Sequence, residues 1–394
     1  MGNGHRVSTT LVAVLGVLVG VGSAAAQQFA DVDAAVRQGI RRGLYSGAAV
    51  VIGRRDTVLY SRGYGHVIWS GSAPVPNPDS TIWDIASLTK VVATTSAAIR
   101  LIDAGRLGLD APVTWYLPEF AGGEKGRVTI RMLLDHTSGL PSYLPFYRLA
   151  RTREAALERL YAEPLLRAPG DSAAYSDLNA MLLGVLIERV AATGLDEFAR
   201  TEVFQPLGMQ RTMFRPSVSL QRWVVPSGKH RGRPVRGRVN DENAVRLGGV
   251  AGHAGLFSTA ADLGRYAQAW LRNGVGPYGP WARPETLRQF LTPGARSGTR
   301  LLGWDSPDPD PTPDDPSVFG SLVSPSAYGH TGWTGTEIWI DPARDLFLVF
   351  LTNRSFDPRT RRSIEKMKLV RAEVSDAVAR LVPGPCRPEL VAAC

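Results

Sequence analysis

Ala86-Ser87-Leu88-Thr89-Lys90 opens the apolar helical pattern on which the reading of this chain turns. Behind it Leu88, Val91, Val92, Thr95, Ala98, Ile99 and Ile102 recur at helical spacing, and Gly105 suits a C-cap. Ser87 and Lys90 stand three residues apart, so on a helix they share a face and can approach each other. A serine hydroxyl needs a nearby base before it attacks at neutral pH. Lysine can be that base once its pKa falls, and burial in so apolar a helix is expected to lower it. The helix N-terminus also places partial positive charge near Ser87, where an oxyanion would form. The alternative is structural: Ser87 only caps the helix and Lys90 lies on its solvated side. The spacing is common, so partners further along decide.

The 394 residues suffice for one large domain or two moderate ones, and 44% hydrophobic with 21% charged residues is the composition of a globular protein. The N-terminus stands apart. Arg6 precedes an apolar run from 11 to 21, followed by Gly22-Ser23-Ala24-Ala25-Ala26. A charged start, a short apolar core and a small-residue cut site read as a secretory signal peptide over 1–26. The run is short for a bilayer span and no second one follows, so no stable membrane insertion is expected after cleavage. Gln27, not Cys, follows the cut, which argues against a lipoprotein. An exported chain, periplasmic or secreted from a bacterium, is expected.

The net charge of +9 is spread along the chain apart from Lys229 to Arg233 and Arg236 to Arg238. Without interleaved aromatics or a nucleic-acid motif, that cluster reads as a solvated loop, and no nucleic-acid partner is expected. The two cysteines, Cys386 and Cys394, could close a small loop in an oxidising compartment. Six scattered histidines without H-E-x-x-H or paired-Cys spacing give no metal site, and no cofactor is expected.

Strand patterns lie at both ends of the chain, at 47–52, 57–62, 336–340 and 346–352. Helical patterns fill 31–43, 128–135, 153–166, 177–193, 195–204, 260–273 and 361–381. Residues 66–82 and the proline-rich 305–316 read as loops. The expected fold class is α/β of the α+β type. The first hairpin joins the last strands in one antiparallel sheet flanked by terminal helices, and a mostly helical second lobe fills the middle. The domain then spans 27–382, its α/β lobe at about 30–85 and 320–382, its helical lobe at about 86–319, with a tail from 383 to 394. A ligand site is expected between the lobes.

Two further stretches carry chemistry. Tyr175-Ser176-Asp177 falls in a turn ahead of a helix, with Asp177 a sensible N-cap, and a phenol shuttles protons when positive neighbours favour its phenolate. Tyr328-Gly329-His330-Thr331-Gly332-Trp333-Thr334-Gly335 is dense in glycine, which lets a strand edge approach a substrate. With Leu133 to Pro141 and Gly249 to Ser258, the set resembles the serine β-lactamase-like superfamily: class C β-lactamases, D,D-peptidases and family VIII-type esterases. Its motifs S-x-x-K, Y-x-N and [KH]-[TS]-G occur in order as Ser87…Lys90, Tyr175…Asp177 and His330-Thr331-Gly332, and the likeness covers roughly 30–380.

The resemblance implies a β-lactamase/transpeptidase-like fold and an acyl-enzyme at Ser87. It gives Lys90 and Tyr175 a shared base role and forms the oxyanion hole from the N–H groups of Ser87 and Trp333. Asp177, His330, Thr331 and Gly332 then bind substrate, with His330 holding a carboxylate or tuning Tyr175. Two departures matter. Asp177 stands where the motif has Asn, an acceptor in place of an amide donor. His330 stands where Lys is usual, which would make the charge switch near neutral pH. Both weaken the expectation of efficient β-lactam hydrolysis. His136, Ser138 and His253 read as structural. The expected function is a serine hydrolase acting on an ester, a D-amino-acid peptide or a β-lactam, its substrate a small molecule or derived from peptidoglycan. The rival is a non-turnover penicillin- or muropeptide-binding protein, but such binders usually lose one of Ser87, Lys90 and Tyr175, and all three are present.

Overall fold

Two strand-forming runs from opposite ends of the chain meet in one sheet. In the computed structural model, which describes residues 1–2, 27–230, 232–312, 317–361 and 363–384, helix α1 (Ala30–Arg41) leads into strands β1 (Gly47–Gly53) and β2 (Val58–Gly65). Next come α2 (Ser96–Asp103), α3 (Asp177–Ala191) and α4 (Ala260–Leu271). The chain then returns as β3 (Tyr328–Gly332), β4 (Thr336–Asp341), β5 (Leu346–Thr352) and α5 (Ser363–Ala379). Residues 3–26 of the expected signal peptide, and both cysteines, lie outside the described residues.

The sheet runs β3-β4-β5-β1-β2, antiparallel throughout, and β1 pairs with β5 so that Val50 faces Phe350. Every residue of β1 and β5 is buried, because both faces of the sheet are covered. Val50, Ile52, Leu348 and Phe350 pack beneath the terminal helices, where Val36 of α1 and Val370 and Val374 of α5 meet them. The alternate residues Val51, Val349 and Leu351 join the core of the helical lobe on the other face. Fully burying each such side chain contributes about 1.5–3 kcal/mol, so this central pair anchors the fold.

The sheet from both ends, the terminal helices and the helical middle agree with the sequence reading, with boundaries unchanged or moved by up to four residues. Two features differ. The helix after Ser87 is interrupted almost at once by a π-helical turn, Lys90–Thr95, and continues as α-helix from Ser96, whose Oγ donates to the Val91 carbonyl 3.0 Å away. A small sheet also appears, with Leu256–Ser258 pairing with Trp83–Asp84 on one side and Met213–Phe214 on the other. Strands of two or three residues leave no periodicity to read. Among the described residues no single helix is long and apolar enough to cross a membrane.

Candidate active site

The small sheet and β3 together fix the turn that carries Ser87. Ala86 has φ +49°, a left-handed conformation rare for a residue with a Cβ, and costs of about 1–3 kcal/mol persist only where neighbours enforce them. Here they do. Asp84 Oδ1 accepts the Ala86 N–H at 2.9 Å and Asp84 Oδ2 accepts the Asn240 N–H at 2.6 Å. Thr334 and Thr336 donate to the carbonyls of Asp84 and Ile85, at 2.7 and 3.0 Å. Burial pushes the Asp84 carboxyl up to about 6, against the opposing pull of those N–H donors. Gly332 allows β3 to come this close: a Cβ there would collide with Thr336 Oγ1 and lie 2.6 Å from the Ile85 carbonyl oxygen.

Lys90, 4% exposed, lies under Ser87. Its Nζ donates to Ser87 Oγ and to the His253 carbonyl, both at 3.1 Å, and pairs with Asp177 Oδ1 at 2.7 Å. The solvated-side alternative is therefore excluded. The expected fall in its pKa is also overturned. Burial favours the neutral amine, but the negative charge of Asp177, with a smaller contribution from Tyr175, outweighs it and raises the pKa. The N-cap of α3 is Ser176, whose Oγ accepts the Asn179 N–H, and not Asp177 as expected. Asp177 is the first helical residue, free to turn towards Lys90.

Tyr175 joins them from the turn before α3. Lys90 Nζ lies 5.0 Å from its ring centroid and the Arg300 guanidinium 5.1 Å, so two cations address the phenol. Two imidazoles complete its surroundings, His136 at 4.9 Å and His330 at 6.0 Å between ring centroids. His136 Nδ1 accepts the Ser176 N–H at 3.2 Å, which puts the ring proton on Nε2 and locks the wall behind Tyr175. Burial, Arg300, Lys90 and His330 hold its pKa well below the usual imidazole range. Ser138 is likewise committed, donating to Asn179 Oδ1 at 2.6 Å.

His330 departs from its sequence reading. Burial, then Lys90 and Arg300, push its pKa down to about 3, so it carries no charge at neutral pH and does not switch there. Its Nδ1 lies 2.8 Å from the Thr331 carbonyl, which can only accept, so Nδ1 holds the proton. Nε2 is then a bare lone pair, buried and without a partner. A neutral acceptor cannot hold a carboxylate.

These groups line a cleft of about 830 Å³ between the lobes, with Ser87, Tyr175, Asp177, His330 and Trp333 on its walls. Trp333 projects at the mouth, 58% exposed, with the Arg354 guanidinium 4.4 Å from its ring centroid. Asp305 pairs through its backbone with Gly329 at 2.8 and 2.9 Å, closing that part of the β3 edge. Residues alternate in the direction of their backbone groups, so Thr331 presents its own along the same edge, towards the cleft. The proline-rich loop expected from 305 thus begins inside the site, with Asp305 on the cleft lining. Sequence reading also missed Arg300, an isolated arginine, and Asp241. Asp241 caps the helix Glu242–Arg246 and accepts from His253 Nε2 at 2.9 Å. The only signal for Asp241 was its capping position.

An antiparallel sheet joined to a helical lobe, with serine, lysine and tyrosine meeting at the seam, fits the class of β-lactamase-related hydrolases. The comparisons agree. The model of the Beta-lactamase family matches residues 32–371, and the chain belongs to that family. It is 32% identical over 349 residues, 80% of each chain, to a protein of Escherichia coli K12 named "Putative D-alanyl-D-alanine carboxypeptidase". It is also 32% identical over 361 residues, 83% of this chain and 81% of the other, to an "N-acetylmuramyl-L-alanine amidase" of Bacillus subtilis 168. Among solved structures, "EstCE1, a hydrolase with promiscuous acyltransferase activity" superposes with a TM-score of 0.70 at 23% identity, covering 90% of this chain and all of its own. That likeness speaks for the fold.

Proposed function

We propose that the chain is an exported serine hydrolase that forms an acyl-enzyme at Ser87 on an ester or a D-amino-acid peptide and releases it to water. The observation that carries this reading is the 3.1 Å contact between Lys90 Nζ and Ser87 Oγ at the floor of a cleft walled by Tyr175. With Lys90 held cationic by Asp177, it donates to Ser87 Oγ and stabilises the developing alkoxide. Tyr175, between Lys90 and Arg300, takes the serine proton and hands it to the leaving group. The N–H groups of Ser87 and Trp333 receive the oxyanion. The open edge at Thr331 pairs with an extended substrate as an added strand, and Arg300 is the cation placed to meet a substrate carboxylate. Asp177 offers an acceptor where the side-chain amide carbonyl of a β-lactam needs a donor, which speaks against efficient β-lactam hydrolysis. The relatives named carboxypeptidase and amidase support a substrate related to peptidoglycan.

The test is a fluorophosphonate adduct read by intact mass, followed by turnover of p-nitrophenyl acetate, a D-Ala-D-Ala peptide and nitrocefin. One adduct, lost in Ser87→Ala, with turnover of ester or peptide exceeding nitrocefin, is expected. Labelling without turnover makes the chain a slow binder, and labelling that persists in Ser87→Ala overturns the nucleophile. For export, secretion from a bacterial host is expected to yield a mature N-terminus at Gln27.

A further inference from the structure

The wall of the cleft beside the nucleophile carries two carboxylates, Asp177 and Asp241. Asp177 Oδ1 meets Lys90 Nζ at 2.7 Å, and the same nitrogen meets Ser87 Oγ at 3.1 Å. The two oxygens are therefore separated by no more than the combined length of these contacts. An α-nitrogen is two bonds from the carbonyl carbon that Ser87 attacks, within hydrogen-bond reach of a carboxylate so placed. Asp177 keeps 19% side-chain exposure, so part of its carboxylate faces the cleft. On the same side stands Asp241, 29% exposed; burial opposes its charge, but His253 and the N–H of Ala244 hold its carboxyl down at about 2. Tyr143, half exposed on the rim, has its phenol pushed up to about 12 by burial, by Tyr147 and by the charges of Asp241 and Asp177. Two carboxylates, Asp177 and Asp241, thus line this wall of the cleft.

The side-chain amide at this wall, Asn240, is held by one of its two N–H groups, which donates to the Ser227 carbonyl at 2.8 Å. Across the cleft, His330 Nε2 is a second acceptor, 96% buried in its residue environment and unpartnered. An N-acylated substrate would set its amide carbonyl against oxygen lone pairs. A free ammonium finds a carboxylate, and tyrosine rings at the rim add cation–π attraction.

We infer that this site prefers substrates whose acyl group carries a free α-ammonium, α-aminoacyl amides or esters, with Asp177 as the ammonium acceptor. The inference rests on the acyl-enzyme reading above. In the reaction Ser87 Oγ bonds to the aminoacyl carbonyl carbon, the C–N or C–O bond to the leaving group breaks, and the leaving group departs with the serine proton. Water then cleaves the acyl-serine, releasing the free amino acid and restoring the hydroxyl.

The experiment compares D-alanine p-nitroanilide with its N-acetyl counterpart on residues 27–394, with p-nitrophenyl acetate as the reference ester. One charge-assisted hydrogen bond predicts roughly a tenfold or greater kcat/KM advantage for the free amine. The advantage is expected to fade above about pH 8, as the substrate amine loses its proton. In Asp177→Asn the ratio of the two rates is expected to fall at least tenfold or invert, whatever happens to the absolute rate. The ratio separates recognition from damage to Lys90, which slows both substrates alike. Equal rates, a faster N-acetyl substrate, or a ratio unmoved by Asp177→Asn overturns the inference. So does hydrolysis of the reference ester with neither anilide turned over, a result that leaves the hydrolase reading standing. Loss of ester hydrolysis and of Ser87 labelling together removes that reading, and this one with it.

Discussion

Replacing Lys90 by methionine keeps most of the side-chain volume and removes the charge at a site that is 4% exposed. The lysine ammonium engages three oxygens: Asp177 Oδ1 at 2.7 Å, and Ser87 Oγ and the His253 carbonyl at 3.1 Å. Removing one partner of a fully buried pair costs about 3–5 kcal/mol, because the other charge is left without compensation. Asp177 retains contact with water, so the lower part of that range or somewhat less, about 2–3 kcal/mol, is expected. Urea denaturation followed by tryptophan fluorescence measures it. In the double variant Lys90→Met, Asp177→Asn no carboxylate is stranded, and stability is expected to return to within about 1 kcal/mol of the parent. Acylation by a fluorophosphonate should not return. Losing the donor on the Ser87 alkoxide is expected to cost about 10²–10⁴-fold in rate in both variants. If Lys90→Met acylates within tenfold of the parent, or the double variant regains its rate, the lysine supports structure alone and the mechanism is wrong.

Gly332→Ala should separate packing from chemistry in another way, since the new Cβ meets both a hydroxyl and the Ile85 backbone oxygen. Overpacking of about 1–3 kcal/mol is expected, with acylation slowed about 10²-fold by a shifted nucleophile turn. Adding Thr336→Ala should relieve only part of this, and a fully active Gly332→Ala would show that β3 need not press on that turn. His330 gives a pH prediction. Its folded pKa of about 3 lies below the ordinary 6.5, so between those values the unfolded chain binds the extra proton. Stability from this group is complete above pH 6.5 and declines as pH falls towards 3. His330→Gln should flatten the acid limb of a plot of stability against pH, while NMR of the wild type should show the His330 ring unprotonated from pH 5 to 8. A His330 titration near 6.5 would refute the assignment.

The chain order of Ser87, Lys90, Tyr175 and His330-Thr331-Gly332 was readable because each sits in a short segment whose spacing is local. The sheet was readable too: strands as apolar as 346–352 need cover on both faces, and the terminal helices with the apolar middle supply it. What spacing could not give was the sign of electrostatic effects. Burial of Lys90 was foreseeable, but Asp177, 87 positions later, reverses its consequence, and Ser176 takes the capping role that would have occupied that carboxylate. Likewise His330 alone suggests a neutral-pH switch, whereas its burial, with Lys90 and Arg300 nearby, suppresses its charge. Arg300, Asp305 and Asp241 lie in segments without periodicity and enter the site only because loops converge on it. The sequence by itself determined which groups could react. The tertiary structure decided their protonation and what else lines the cleft, because pKa values depend on distance and burial, and neither is a property of residue order.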